Sequence, residues 1–133
     1  MIASASWLKD KEFDLLSESG HHLTLDAGSA HQAGPSPMEI VLTALCACTA
    51  TDVVTILSKK REGFTALKVS AAAEQASEPP RVFTRIHLTY RVSGKVSAKS
   101  MEDAVSLSKN KYCSVSKMLE KSAPIDFVIE YAD

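Results

Sequence analysis

Aromatic residues are few in this 133-residue sequence, with one Trp, three Tyr and four Phe. Its core must therefore be built from aliphatic side chains. Excess charge of either sign is also missing: 15 Lys and Arg stand against 16 Asp and Glu, a formal net charge of −1. No basic face is available to neutralise phosphates, which argues against nucleic acid as a partner. The first residues, Met1-Ile2-Ala3-Ser4-Ala5-Ser6-Trp7, lack a basic leader followed by an apolar block, so a cytoplasmic location is expected. Three cysteines, an odd number, do not make a disulfide framework and suit a reducing compartment. A metal site is not expected either. Cys46 and Cys48 would lie about 200° apart on a helix, the third cysteine is distant, and the four histidines are dispersed. Repeats and low-complexity tracts are absent, and the length fits a single domain spanning residues 1–133 with a sizeable core.

Glycine and proline are missing between Pro37 and Gly63, and this gap holds the longest apolar run of the chain. Ser36 can cap a helix, Pro37 suits its first position, and Glu39 completes an S-x-x-E capping box. Lys59, Lys60 and Arg61 suit the negative end of the helix dipole. These signals predict a helix from Pro37 to about Lys60. Ile40, Val41, Leu42, Leu45, Val53, Val54, Ile56 and Leu57 do not confine themselves to one stripe, so the helix is either buried or membrane-spanning. Asp52 near its middle, Thr43, Thr49, Thr51 and Thr55 along it, and charges at both ends favour a buried core helix over a membrane span. Short strands with so few aromatics cover such a helix poorly. A symmetric partner laid over its second face would complete the burial, so a homodimer is expected on packing grounds.

Three short strands are read before this helix: Ile2 to Leu8, Glu12 to Leu16 and His22 to Asp26. A small-residue loop from Gly28 to Gly34 comes next, in which His31 is given no role. After the helix, Leu67, Val69 and Ala71 alternate with Lys68 and Ser70. Val82, Ile86, Leu88, Tyr90 and Val92 then alternate with Phe83, Arg85, His87, Thr89 and Arg91, predicting a strand with one wet face. Ser100-Met101-Glu102-Asp103 reads as the start of a second helix reaching about Asn110, and a break at Asn110-Lys111-Tyr112 puts Cys113 at the start of a third. Ile125, Phe127, Ile129 and Tyr131 mark a closing strand. The order is βββ-α-ββ-α-α-β, an α+β fold with an antiparallel sheet of about six strands around a long central apolar helix.

Cys46 reads as a small buried apolar side chain. Cys48, inside the central helix, and Cys113, at a helix start where aligned N–H groups favour thiolate, are candidates for chemistry, although spacing alone leaves their pairing open. The run Ser-Pro-Met-Glu-Ile-Val-Leu-Thr-Ala-Leu-Cys-Ala-Cys-Thr-Ala-Thr-Asp-Val-Val (36–54), with Lys-Tyr-Cys-Ser-Val-Ser-Lys-Met-Leu (111–119) about sixty residues later, resembles the OsmC/Ohr family of osmotically inducible and organic-hydroperoxide-resistance proteins, and within it the YhfA-like branch. The likeness covers nearly the whole chain. It implies an intertwined cytoplasmic homodimer acting as a thiol-dependent peroxidase, with Cys48 attacking a hydroperoxide and Cys113 resolving the sulfenic acid. No cofactor is implied; a dithiol reductant reopens the disulfide.

This sequence departs from the family pattern in two places. The peroxidase members carry their glutamate ten residues before the attacking cysteine, and here that position is Met38. Glu39 comes one residue late, about 180° round the helix from Cys48. Those members also hold the thiolate with an arginine from the N-terminal strands, whereas no arginine precedes Arg61 here. Lys9 or Lys11 offers only a point charge in its place. These departures keep a second expectation open, a dimeric small-molecule-binding protein with weak or no peroxidase activity.

Overall fold

The computed structural model describes all of residues 1–133. The element order is β1 (Ala3–Lys9), β2 (Glu12–Ser17), β3 (His22–Asp26), α1 (Pro37–Lys59), β4 (Gly63–Gln75), β5 (Phe83–Lys95), α2 (Ala98–Leu107), a π-helical turn (Ser108–Tyr112), α3 (Ser114–Leu119) and β6 (Ile125–Ala132). This matches the expected α+β order. The six strands form two three-stranded sheets, β1-β2-β3 and β4-β5-β6, and β6 joins β5 in parallel. The expectation of one antiparallel sheet is corrected to that extent. By contact, the chain divides into two compact units, Met1–Val41 and Leu42–Asp133.

The first unit is a meander in which β1 and β2 pair antiparallel, as do β2 and β3. Every residue of β1 is exposed, Trp7 at 67%. The loop after β3 is held by its own side chains. Asp26 accepts from the backbone N–H groups of Gly28 and Ala33, and His31 bonds the Asp26 carbonyl. The chain then passes so close to β3 that a Cβ on Gly34 would stand 2.1 Å from the Thr24 carbonyl oxygen, so only glycine fits. At the start of α1 the expected capping box is formed: Ser36 N–H donates to Glu39 at 2.9 Å, and Glu39 N–H donates to Ser36 Oγ at 3.2 Å.

In the second unit, register aligns Leu67, Tyr131 and Val92, then Val69, Ile129 and Tyr90, then Ala71, Phe127 and Leu88, on one face of the sheet. Ile86, Leu88, Tyr90 and Val92 are buried there, as predicted. At the start of β5 the alternation slips: Phe83 is buried and Val82 exposed, the reverse of the expectation. Glu74 pairs with Arg85 but Gln75 pairs with Phe83, so Thr84 is an extra residue, and this bulge turns Phe83 to the face of Ile86. The opposite face is polar, with Asp126 binding Arg85 and His87.

The N-cap of α2 is Ser97, three residues before the expected Ser100, because Ser97 Oγ accepts from Ser100 N–H. Glu62 in turn accepts from Ser97 Oγ, tying the cap to the start of β4. Met101, Ala104, Val105 and Ser108 form the buried face of α2 and its continuation.

Along α1 the buried residues are Leu45, Thr49, Val53 and Leu57, a single stripe at four-residue spacing. The helix is also long and apolar enough to cross a membrane on those two counts alone. Much of its apolar surface is left uncovered by the chain taken by itself, Val54 being 39% exposed. Leu57, fully buried, is expected to cost about 2–5 kcal/mol when truncated to Ala, the range for emptying a packed aliphatic site. A urea titration showing a loss under about 0.5 kcal/mol would mean that this stripe is not part of the core.

Candidate functional site: a thiol pair on the central helix and a π turn

Cys48 lies half-buried on α1, one residue before the buried Thr49. Cys113 lies at the end of an unusual local structure. After Leu107 the backbone widens into a π turn, in which Cys113 N–H donates to the Ser108 carbonyl five residues back at 2.8 Å. Such a turn inserts one residue into a helix and redirects the chain beyond it. Cys113 then serves as the N-cap of α3, its Sγ accepting from Ser116 N–H at 3.3 Å. The Ser116 hydroxyl donates to the Lys109 carbonyl, satisfying an acceptor in the turn. Lys111 lies over the Tyr112 ring, 5.2 Å from its centroid.

The structure makes Cys48 and Cys113 neighbours, close enough for Cys48 to act on the ionisation of Cys113. All three cysteines are free thiols. Burial is the main cause that pushes Cys113 up to about 11; Ser116 N–H opposes it, and Cys48 and Asp52 add to it. At neutral pH Cys113 is therefore a thiol, despite its place at a helix start. The N-terminal position was expected to favour thiolate, and desolvation outweighs that effect. Cys46 is likewise pushed up by burial.

Beside the thiols runs a buried hydroxyl chain not anticipated from the sequence. Ser108 Oγ donates to Asp52 at 2.8 Å, Thr49 Oγ1 lies 2.7 Å from Ser108 Oγ, and Tyr90 OH lies 2.7 Å from Thr49 Oγ1. Because an ionised carboxylate only accepts, the direction is fixed: Tyr90 donates to Thr49, Thr49 to Ser108 and Ser108 to Asp52. No buried side-chain polar atom is left without a partner. Burial pushes the Tyr90 phenol up to about 12, Thr49 opposing and the charges of Cys113, Cys46 and Asp52 reinforcing. One signal for this chain was readable: Thr49 is a hydroxyl in the middle of the Leu45, Val53, Leu57 stripe. Asp52 also opens on a cleft of ≈ 460 Å³ lined by Thr55, Ile56, Leu107 and Tyr112, with Lys59 and Lys60.

Glu39 is engaged by Ser36 at the helix cap, and those hydrogen bonds hold its carboxyl below the usual range. Lys9 ends β1 and Lys11 lies in the turn after it, both exposed. No three of the His, Cys, Asp and Glu side chains gather as a metal ion would require.

A thiol on the long helix and a thiol capping α3 are thus carried by an α+β fold of order βββ-α-ββ-α-α-β. The chain belongs to the OsmC-like protein family, whose sequence profile matches residues 28–128. It is 42% identical to the protein YhfA of Escherichia coli K12 over 126 residues, which cover 94% of this chain and 93% of that protein. The crystal structure of an OsmC-like protein from Mycoplasma pneumoniae superposes with a TM-score of 0.86 at 17% identity, covering 99% of this chain and 96% of the other. An organic hydroperoxide resistance protein from Elizabethkingia anophelis superposes with a TM-score of 0.72 at 12% identity, covering 98% and 94%. At those identities the two structures establish the shared fold.

Proposed function

We propose that this protein is a thiol-dependent hydroperoxide reductase in which Cys48 attacks and Cys113 resolves. The observation that carries the reading is the juxtaposition of the two thiols, with Cys113 held protonated. A Cys48 thiolate attacks the distal oxygen of ROOH; the O–O bond breaks, ROH leaves with a proton, and Cys48 becomes a sulfenic acid. Cys113 then displaces the hydroxyl, its own proton leaving with it as water, and a Cys48–Cys113 disulfide forms. An external dithiol of unassigned identity returns both electrons. Family membership, and the hydroperoxide-resistance proteins that share the fold, support this reading. The test is peroxide consumption by the purified protein with a dithiol reductant. Wild type is expected to turn over and Cys48→Ser to fall to background; equal rates would end the assignment.

We further propose that the working unit is a cytoplasmic homodimer. Support comes from the apolar surface that each unit leaves exposed, Trp7, Leu8 and Leu23 in the first and Val54, Val128 and Tyr131 in the second. Three free thiols suit a reducing compartment. Light scattering is expected to return twice the 14.3 kDa chain mass, and a monomer at all micromolar concentrations would contradict the proposal.

One observation favours a second reading, a small-molecule-binding protein of weak peroxidase activity. Glu39 is spent on the helix cap, and the first arginine of the chain is Arg61. Undiminished ligand binding in Cys48→Ser, without peroxide turnover in wild type, would select it.

A further inference from the structure

We propose that Asp52 and Ser108 act together as a clasp that holds Cys113 against Cys48, making both of them positioning residues of the thiol pair. This clasp rests on the proposed function in taking Cys48 and Cys113 as the redox pair, and it gives a role to two residues that the peroxidase chemistry leaves unused.

Four residues are linked in a ring. Cys48 and Asp52 stand one helical turn apart on α1, on nearly the same face. Ser108 and Cys113 stand at the two ends of the π turn, joined by the Cys113 N–H to Ser108 carbonyl bond of 2.8 Å. Ser108 Oγ crosses to Asp52 at 2.8 Å, and Cys48, the neighbour that acts on Cys113, completes the ring. One residue, Ser108, therefore holds the turn with its carbonyl and holds α1 with its hydroxyl. Its acceptor is a carboxylate, which makes the bond stronger than one between neutral groups.

A π turn needs such an anchor. Its inserted residue costs regular hydrogen bonding, and these turns persist where surrounding contacts over-determine them. This one is tied at Ser108 by Asp52 and Thr49, and at Lys109 by the Ser116 hydroxyl. Ser116 also donates its N–H to Cys113 Sγ, so the far end of the turn is fixed to the thiol itself. Of these ties, the Thr49 and Asp52 bonds join the turn to the helix that carries Cys48. Thr49 also serves Tyr90, whereas Ser108 is the only side chain seen to bond the Asp52 carboxylate.

The consequence is read in the equilibrium between dithiol and disulfide, with no peroxide present. Oxidised dithiothreitol takes two electrons and two protons from Cys48 and Cys113, leaving reduced dithiothreitol and the intrachain disulfide. The equilibrium constant measures how well the two sulfurs are held for bonding. Asp52→Ala and Ser108→Ala are expected to lower it by about tenfold, or about 30 mV for this two-electron couple. Asp52→Asn keeps an oxygen that accepts from Ser108 and is expected to stay within about threefold of wild type. Leu57→Val trims the buried face of the same helix about two and a half turns away, and is expected to lose stability to urea without moving the redox constant.

Values for Asp52→Ala and Ser108→Ala equal to wild type would overturn the clasp. So would a fall in Leu57→Val as large as in Asp52→Ala, which would make the effect one of general loosening, or a matching fall in Asp52→Asn, which would make it one of charge. Should Ser108→Ala not fold, the two Asp52 variants decide. A normal redox equilibrium together with absent peroxide turnover would end the peroxidase reading and leave the clasp standing.

Discussion

Replacing Cys113 by Ser is expected to leave consumption of the first equivalent of hydroperoxide unchanged and to cut steady turnover on the order of a hundredfold at millimolar dithiol, the advantage that a positioned intramolecular group holds over a dissolved one. Cys48 attacks as before, but its sulfenic acid then meets no resolving thiol. It waits for the external reductant or takes a second peroxide and becomes sulfinic acid, which thiols do not reverse. The substitution is chemically narrow because Cys113 is also a cap. Its sulfur accepts from Ser116 N–H, and a serine hydroxyl in the same place is among the favoured N-cap acceptors. The fold should therefore be kept, and any loss is a loss of chemistry. Mass spectrometry of peroxide-treated protein is the readout: a disulfide linking the Cys48 and Cys113 peptides in wild type, and two added oxygens on the Cys48 peptide in Cys113→Ser. Full turnover by the variant, or a Cys46–Cys48 link in wild type, would contradict the assignment.

Legibility in the sequence divides by range of interaction. The capping box at Ser36 and Glu39 was legible because both partners lie within one turn and the residue types are specific. Element order and the wet and dry faces of β5 were legible for the same reason, from a periodicity that local sequence carries. The first residues of β5 were not. Nothing in Val82-Phe83-Thr84-Arg85 announces the extra residue at Thr84, since a bulge is fixed by how β4 pairs across from it. The division into two sheets and the parallel pairing of β6 are likewise long-range outcomes.

The candidate site shows the same division. Cys48 and Cys113 were singled out by local context and family likeness, but their interaction depends on a π turn that Ser-Lys-Asn-Lys-Tyr does not spell out. The polarity of the turn suggested only a helix break near Asn110, whereas the regular helix ends at Leu107. Ser108 and Thr49 escaped notice because a serine or threonine on a helix is ordinary until its neighbours are known. Here those neighbours are Tyr90 and Asp52, which lie 41 and 56 residues away along the chain in the two outer bonds.

Alkali is expected to destabilise this protein progressively as Cys113 and Tyr90 give up their protons. Both are neutral when protonated, both are fully buried, and both are pushed up by that burial, Cys113 from 9.0 to about 11 and Tyr90 from 10.0 to about 12. A folded-state value above the unfolded one means that the folded chain holds a proton the unfolded chain has released. The contribution is therefore intact below the unfolded value and is lost as pH rises toward the folded one. For Cys113 that window runs from 9.0 to about 11, and for Tyr90 from 10.0 to about 12. Each shift corresponds to roughly 2–3 kcal/mol at about 1.4 kcal/mol per unit, and together they are a large part of the 5–15 kcal/mol typical of a domain. Urea titrations at about pH 8 and about pH 11 on wild type and Cys113→Ser separate the Cys113 contribution, because the variant has no thiol at position 113 to ionise. Cys113→Ser is expected to lose roughly 2–3 kcal/mol less than wild type over that interval. Identical losses in the two proteins would show that Cys113 ionises in the folded state as readily as in the unfolded one, and that burial does not hold its proton.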